Sequence, residues 1–270
     1  MPIELVKFWR RCELTAPPYA HPDDLPVLQR GNGKHIDYEP KNFTTFITGL
    51  RSVDFNDHRL HLSLFPFPYC GNLASAKIVI LLLNPGVSYT DYYAETHVRA
   101  CRRRLELNLR QSFDGIEFPF LWLDPEFCWH GGFTWWEKKL RKVIRKIAEK
   151  KFENRYRDAL CHLSKRLACV ELVPYHSPSF RGHALIDELP SVKAAKQFVS
   201  DVLVRAAKRG EKTIIVTRQN TAWGLPARMT KNLKNLVIYE GGQTRGASLG
   251  PRTAGGQAIL RHCGVRSPMA

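Results

Sequence analysis

Asn84 closes a run of aliphatic residues, Ala76-Lys77-Ile78-Val79-Ile80-Leu81-Leu82-Leu83, and is followed by Pro85 and Gly86, with Ser88 and Tyr89 close behind. A carboxamide orients a bound group well and is a poor base, so its chemistry is positioning. Apolar character on both faces reads as a central parallel strand, and in open α/β sheets the ligand crevice lies beyond the carboxyl ends of such strands. A second run, Cys169-Val170-Glu171-Leu172-Val173, likewise ends in functional groups, Pro174-Tyr175-His176-Ser177-Pro178. Asn-Pro-Gly alone is equally an ordinary turn. Two strand ends that both carry polar groups make the tips a candidate active site.

Other stretches carry weaker signals. Asp57-His58-Arg59-Leu60-His61 sets two histidines close together, but no further ligands cluster nearby and no metal is assigned there. The seven cysteines (Cys12, Cys70, Cys101, Cys128, Cys161, Cys169, Cys263) contain no Cys-x-x-Cys, which removes a zinc ribbon and a sequence-local iron–sulfur pattern, and no cofactor is expected. The aromatic segment Phe118 to Phe127 offers rings that can stack bases, and Phe120 is the one chosen for that role against the commoner fate of core packing. The glycine-rich stretch from Gly241 to Gly250 has few bulky side chains and can come close to a phosphate backbone.

The elements that would position these groups follow from periodicity. Strands are expected at 76–83, 168–173, 212–217 and 236–239. Helices are expected from Ile3 to Leu14, Tyr92 to Leu109, near Thr134 onward, Asn154 to Leu167, Ser191 to Arg209 and Ala258 to Cys263. Strands alternating with helices argue for parallel connections in an α/β domain over residues 65–270. Residues 1–64, rich in proline between Pro17 and Pro26, read as a helical and irregular extension packed on that domain. The helix near Arg99 to Arg110 is strongly basic. The one after Thr134 places Leu140, Val143, Ile144 and Ile147 on one face and Lys138, Lys139, Arg141, Lys142, Arg145, Lys146, Lys150 and Lys151 around them.

Forty-one Lys and Arg against 25 Asp and Glu give a formal charge of +16, which attracts polyanions. With no apolar run long enough to span a bilayer, the expected partner is DNA, with a membrane surface the weaker alternative. Phe8-Trp9-Arg10-Arg11-Cys12 interrupts any secretory signal, so a cytoplasmic monomer is expected.

With Leu83-Asn84-Pro85-Gly86 at the first strand tip and Val173-Pro174-Tyr175-His176 at the second, the chain from about Phe65 to Cys263 resembles the uracil-DNA glycosylase superfamily. Its motif is most similar to that of the mismatch-specific uracil/thymine branch. The resemblance implies a three-layer α/β/α sandwich with a central, mostly parallel four-stranded sheet. It also implies a monofunctional DNA glycosylase that flips a base out, hydrolyses its N-glycosidic bond and leaves an abasic site. Asn84 would hold the attacking water, and Gly86 and Tyr89 would lie beside the flipped base. His176 would donate a proton or hydrogen bond to the departing base, and Ser177 would contact phosphate. Where the family commonly carries an Asn that reads the pyrimidine edge, this chain has Glu171. A carboxylate only accepts, which favours the exocyclic amino group of a cytosine derivative such as a hypermodified phage base, and with it a role in antiviral defence. A structural ion pair with one of the many arginines is the competing role for Glu171. In place of the family's His-containing loop stands the glycine-rich loop, to which DNA insertion is assigned. Arg218, Gln243, Arg245 and Ser248 would contact DNA, and Leu249 would serve as a wedge in the vacated stack. Two alternatives remain, a uracil or thymine mismatch repair enzyme and a DNA-binding protein without catalysis.

Overall fold

The structure is a computed structural model and describes residues 3–30, 36–37, 42–49, 58–218, 221–225, 233–244 and 246–265. It is an α/β protein whose chain separates into two compact units. One comprises Met1–Tyr69, Leu83–Ser112 and Glu171–Phe198, and the other Cys70–Leu82, Phe113–Val170 and Val199–Ala270.

Runs of Ile, Val and Leu build the main sheet. Its strands are β3 (Tyr69–Cys70), β4 (Ile78–Leu82), β5 (Leu167–Glu171), β6 (Thr213–Val216) and β7 (Leu236–Ile238), in the order β3-β5-β4-β6-β7. β4 pairs parallel with β6, Ile78 opposite Thr213 and Leu81 opposite Val216, and β6 pairs parallel with β7. Ile78 to Leu81, Leu167 to Val170 and Ile214 to Val216 are all buried, so the central strands are covered on both faces. This explains their unbroken apolar sequence. The four expected strands are present, but the sheet has five. The fifth, β3, is a two-residue edge strand between Pro68 and Gly71, too short to show any alternation. Gly71 has φ +85°, and a Cβ there would run into the Leu167 carbonyl oxygen, so only glycine fits.

In the same unit, α6 (Gly131–Lys151) buries Trp136, Leu140, Val143, Ile144 and Ile147 and packs against α7 (Tyr156–Ser164) and α11 (Ala254–His262). α11 lies against β4, and α10 (Val204–Lys208) against β6. After the short α8 (Leu185–Glu188), the helix expected from Ser191 to Arg209 is α9 (Pro190–Phe198), a π-helical turn Val199–Leu203, then α10.

In the other unit, α1 (Glu4–Arg10) buries Leu5, Val6 and Trp9 and packs on α5 (Arg99–Arg110) and α9. The expected continuous helix Tyr92 to Leu109 is two helices, α4 (Tyr89–His97) and α5, because Val98 leaves helical geometry at φ −109°, ψ 87°. Two of the arginines that make this region strongly basic hold the fold together. Arg110 donates to the carbonyls of Trp9, Arg10 and Cys12 at the end of α1. Arg102 donates to the Leu14 carbonyl and sits 4.5 Å from the Phe65 ring centroid. The N-terminal segment also holds α2 (Leu25–Leu28), α3 (Phe43–Gly49) and a two-stranded parallel pair, β1 (Ile36–Asp37) with β2 (Leu60–His61).

Candidate active site

β4 and β5 are neighbours in the sheet, so the turns that follow them run side by side. The Val173 N–H donates to the Leu83 carbonyl at 2.8 Å and the Ser177 N–H to the Pro85 carbonyl at 3.1 Å. The two motifs meet through side chains as well. Asn84 Nδ2 donates to the Pro85 carbonyl at 2.8 Å and to Ser177 Oγ at 3.1 Å. A carbonyl can only accept, which fixes the amide's orientation and commits both of its N–H groups. Oδ1 of this half-buried residue is left as an acceptor. Gly86 is exposed, and a Cβ placed on it would meet only open space. Tyr89, the first residue of α4, is 48% exposed.

His176 Nδ1 lies 2.6 Å from the Gly86 carbonyl and must be the donor there. Nε2 of the neutral imidazole is therefore a lone pair, and only the imidazolium donates from it. The peptide carrying His176 is held from several directions. The His61 N–H donates to the His176 carbonyl at 2.8 Å, and the Phe67 N–H to the Pro174 carbonyl at 2.7 Å. Beside it, the buried Tyr175 hydroxyl donates to Asp24 Oδ2 at 2.5 Å and accepts from the His21 N–H, while the Ser191 N–H donates to Asp24 Oδ1. Burial raises the Asp24 carboxyl above its ordinary range, against the opposing pull of these donors. No sequence signal joins Asp24 and His61 to Tyr175 and His176, because the contacts link residues far apart in the chain.

Glu171 ends β5, with its N–H donating to the Pro68 carbonyl. The side chain is buried, and Oε2 has no hydrogen-bond partner. Burial is the only cause acting on the carboxyl, and it drives the proton affinity well above the ordinary carboxylic range. Among the described residues no arginine or lysine pairs with it, which removes the structural ion pair. The raised proton affinity favours the protonated acid, which offers one O–H donor and one carbonyl acceptor. Buried Glu95 differs in that both its oxygens accept the Phe65 N–H, at 3.0 and 3.1 Å.

The remaining expected residues belong to the unit containing the sheet. Phe120 is fully buried, edge-on to Trp136 at 4.9 Å, and its ring offers no face to a base. Leu249 is also a core residue at 2% exposure, packed where Gly255 leaves room, so the expected wedge is not presented to DNA. Ser248 is exposed, its Oγ accepting from the Gly250 N–H and its carbonyl from the Tyr239 hydroxyl. Arg218 and Gln243 are exposed, Gln243 in the short turn Gly241–Thr244. Arg245 lies outside the described residues. The structure thus brings together Asn84, Gly86, His176 and Ser177 by direct hydrogen bonds, with Glu171 five residues upstream of His176. No family model, curated protein or solved structure matches the chain.

Proposed function

We propose that this chain is a monofunctional DNA glycosylase on a uracil-DNA-glycosylase-like fold, acting on a pyrimidine swung out of the stack. The observation that carries the reading is the Asn84 amide. Its donors are fixed by Pro85 and Ser177, and its oxygen is left over at the end of a central strand. The covered α/β sheet and the charge of +16 accord with a DNA substrate.

In this reading Asn84 Oδ1 accepts a hydrogen bond from water and sets it beneath the sugar. The water oxygen bonds to C1′ as the bond from C1′ to the base nitrogen breaks. The electron pair leaves with the base, and the water's proton passes to solvent. The transition state is oxocarbenium-like, so fixing the water and stabilising the departing base matter more than a strong nucleophile. His176 as imidazolium donates from Nε2 to the base, and its Nδ1–H is held in place by the Gly86 carbonyl.

Glu171 as a neutral acid pairs with N3 and the amino group of a cytosine derivative. By exchanging which oxygen carries the proton, it also pairs with N3–H and O4 of uracil or thymine. That neutrality is why a uracil or thymine substrate stands as the second reading beside the modified cytosine.

Duplexes carrying uracil, a thymine mismatch, hydroxymethylcytosine or glucosylated hydroxymethylcytosine separate these readings. Alkali cuts the strand wherever a base has been removed, and mass spectrometry identifies the free base. Asn84→Ala is expected to lower release by at least about a hundredfold, the scale of losing one positioned group, with DNA affinity little changed. Undiminished release by that variant, or no released base from any duplex with the unaltered protein, overturns the proposal.

A further inference from the structure

The outer face of α6 carries a group of side chains that the strand-end site does not use. Trp135, in the first turns of the helix, is 45% exposed, although an indole is seldom left so open. Its ring is not loose. The Lys139 ammonium lies 5.0 Å from the ring centroid, and the ring meets Trp136 edge-on at 4.9 Å. Lys139 is itself anchored, donating to the carbonyls of Gly246 and Ala247 in the glycine-rich loop. A second indole, Trp129, is 39% exposed just before the helix, its Nε1 donating to the Glu126 carbonyl.

Along the same exposed stripe, at helical spacing from Trp135, follow Lys138, Lys142 and Arg145. Neighbouring cations are already paired, Arg141 with Glu137 and both Lys146 and Lys150 with Glu149. Among the described residues Lys138, Lys142 and Arg145 make no ion pair. From Lys138 to Arg145 the helix rises about 10 Å, over which one strand of B-form DNA carries about three phosphates. An immobilised indole beside a row of exposed cations is the combination that grips a single strand, with the ring stacking on a base and the cations following the backbone. In a duplex the base faces are hidden, so the indole selects an unpaired base.

We propose that Trp135, Lys138, Lys142 and Arg145 form a binding track for single-stranded nucleic acid, with Trp135 as its stacking platform. The proposal does not depend on the chemistry assigned to Asn84. Fluorescence anisotropy of a labelled oligothymidylate with the full chain tests it. Trp135→Ala is expected to weaken binding about tenfold, and Trp135→Phe to restore most of the loss. Joint replacement of Lys138, Lys142 and Arg145 by Ala is expected to flatten the slope of log affinity against log salt by about 2. All four side chains are outside the core, so the variants keep the fold, and circular dichroism checks this. Unchanged affinity in Trp135→Ala together with an unchanged salt slope in the triple variant overturns the proposal. So does binding to vesicles of anionic lipid without binding to the oligonucleotide. Loss of oligonucleotide binding in a protein that releases no base leaves the track standing and sinks the glycosylase reading, and the converse result does the opposite.

Discussion

Burial favours the protonated form of Glu171, and nothing nearby offsets it. Its Oε2 meets no donor, and burial is the sole influence on its ionisation. In the unfolded chain the same carboxyl ionises near pH 4.3. Above that pH the folded protein binds one more proton than the unfolded chain, so stability must fall as pH rises. The contribution is fully present below the ordinary carboxyl range and is lost as the pH climbs through the raised folded value. Glu171→Gln removes the titration while preserving shape. The stability difference between wild type and variant, from urea unfolding at pH 4 to 8, is expected to tilt toward the variant at up to about 1.4 kcal/mol per pH unit. Parallel curves would show that Glu171 ionises normally. The sequence placed Glu171 beside the site, since a strand-end position follows from the apolar run. Its protonation was not legible, because that depends on the absence of a cation, and 41 Lys and Arg make a partner look inevitable on paper.

The turn from Pro174 to Ser177 shows what one element asks of the others. Its backbone is tied by His61, Phe67 and Pro85, and its buried Tyr175 by Asp24 and His21. Tyr175→Phe keeps the ring but leaves Asp24 Oδ2 without its hydroxyl donor and the His21 N–H without an acceptor. A cost of about 1–3 kcal/mol in urea unfolding is expected. If the turn positions His176, base release should fall further than the stability loss explains, with KM for a fixed duplex nearly unchanged. Equal activity at full folding would make Tyr175 a purely structural residue. Central strands were readable as elements because burial on both faces writes itself into consecutive aliphatic residues. The two-residue β3 and the break at Val98 were not, since neither leaves a periodic trace. The burial of Phe120 and Leu249 is not legible in the sequence for a related reason. A loop's composition does not say which of its rings and aliphatic side chains turn inward, and here Trp136 and Gly255 provide the places they fill.

At the scale of the whole molecule, two electrostatic effects oppose each other. Surface pairs such as Arg11 with Asp23, Arg157 with Glu117 and Arg209 with Glu211 are weakened by salt, but exposed pairs of this kind contribute little. The excess of 16 positive charges can find no partner within the chain, and its self-repulsion is relieved by the same salt. Because the unpaired charge is so large, the second effect should win, and the free protein should melt higher at 150 mM than at 10 mM salt. Adding an oligonucleotide reverses the sign. Ligand held at about one hundred times its Kd stabilises the native state by about 2.7 kcal/mol, but Kd itself rises with salt as counterion release is lost. At fixed oligonucleotide the gain in melting temperature should therefore be several degrees at low salt and shrink toward zero as salt increases. Differential scanning fluorimetry across both axes reads the two signs in one plate. A free protein that melts lower as salt increases would mean that its ion pairs outweigh its repulsion. An oligonucleotide effect insensitive to salt would mean that the charge excess is not what holds the nucleic acid.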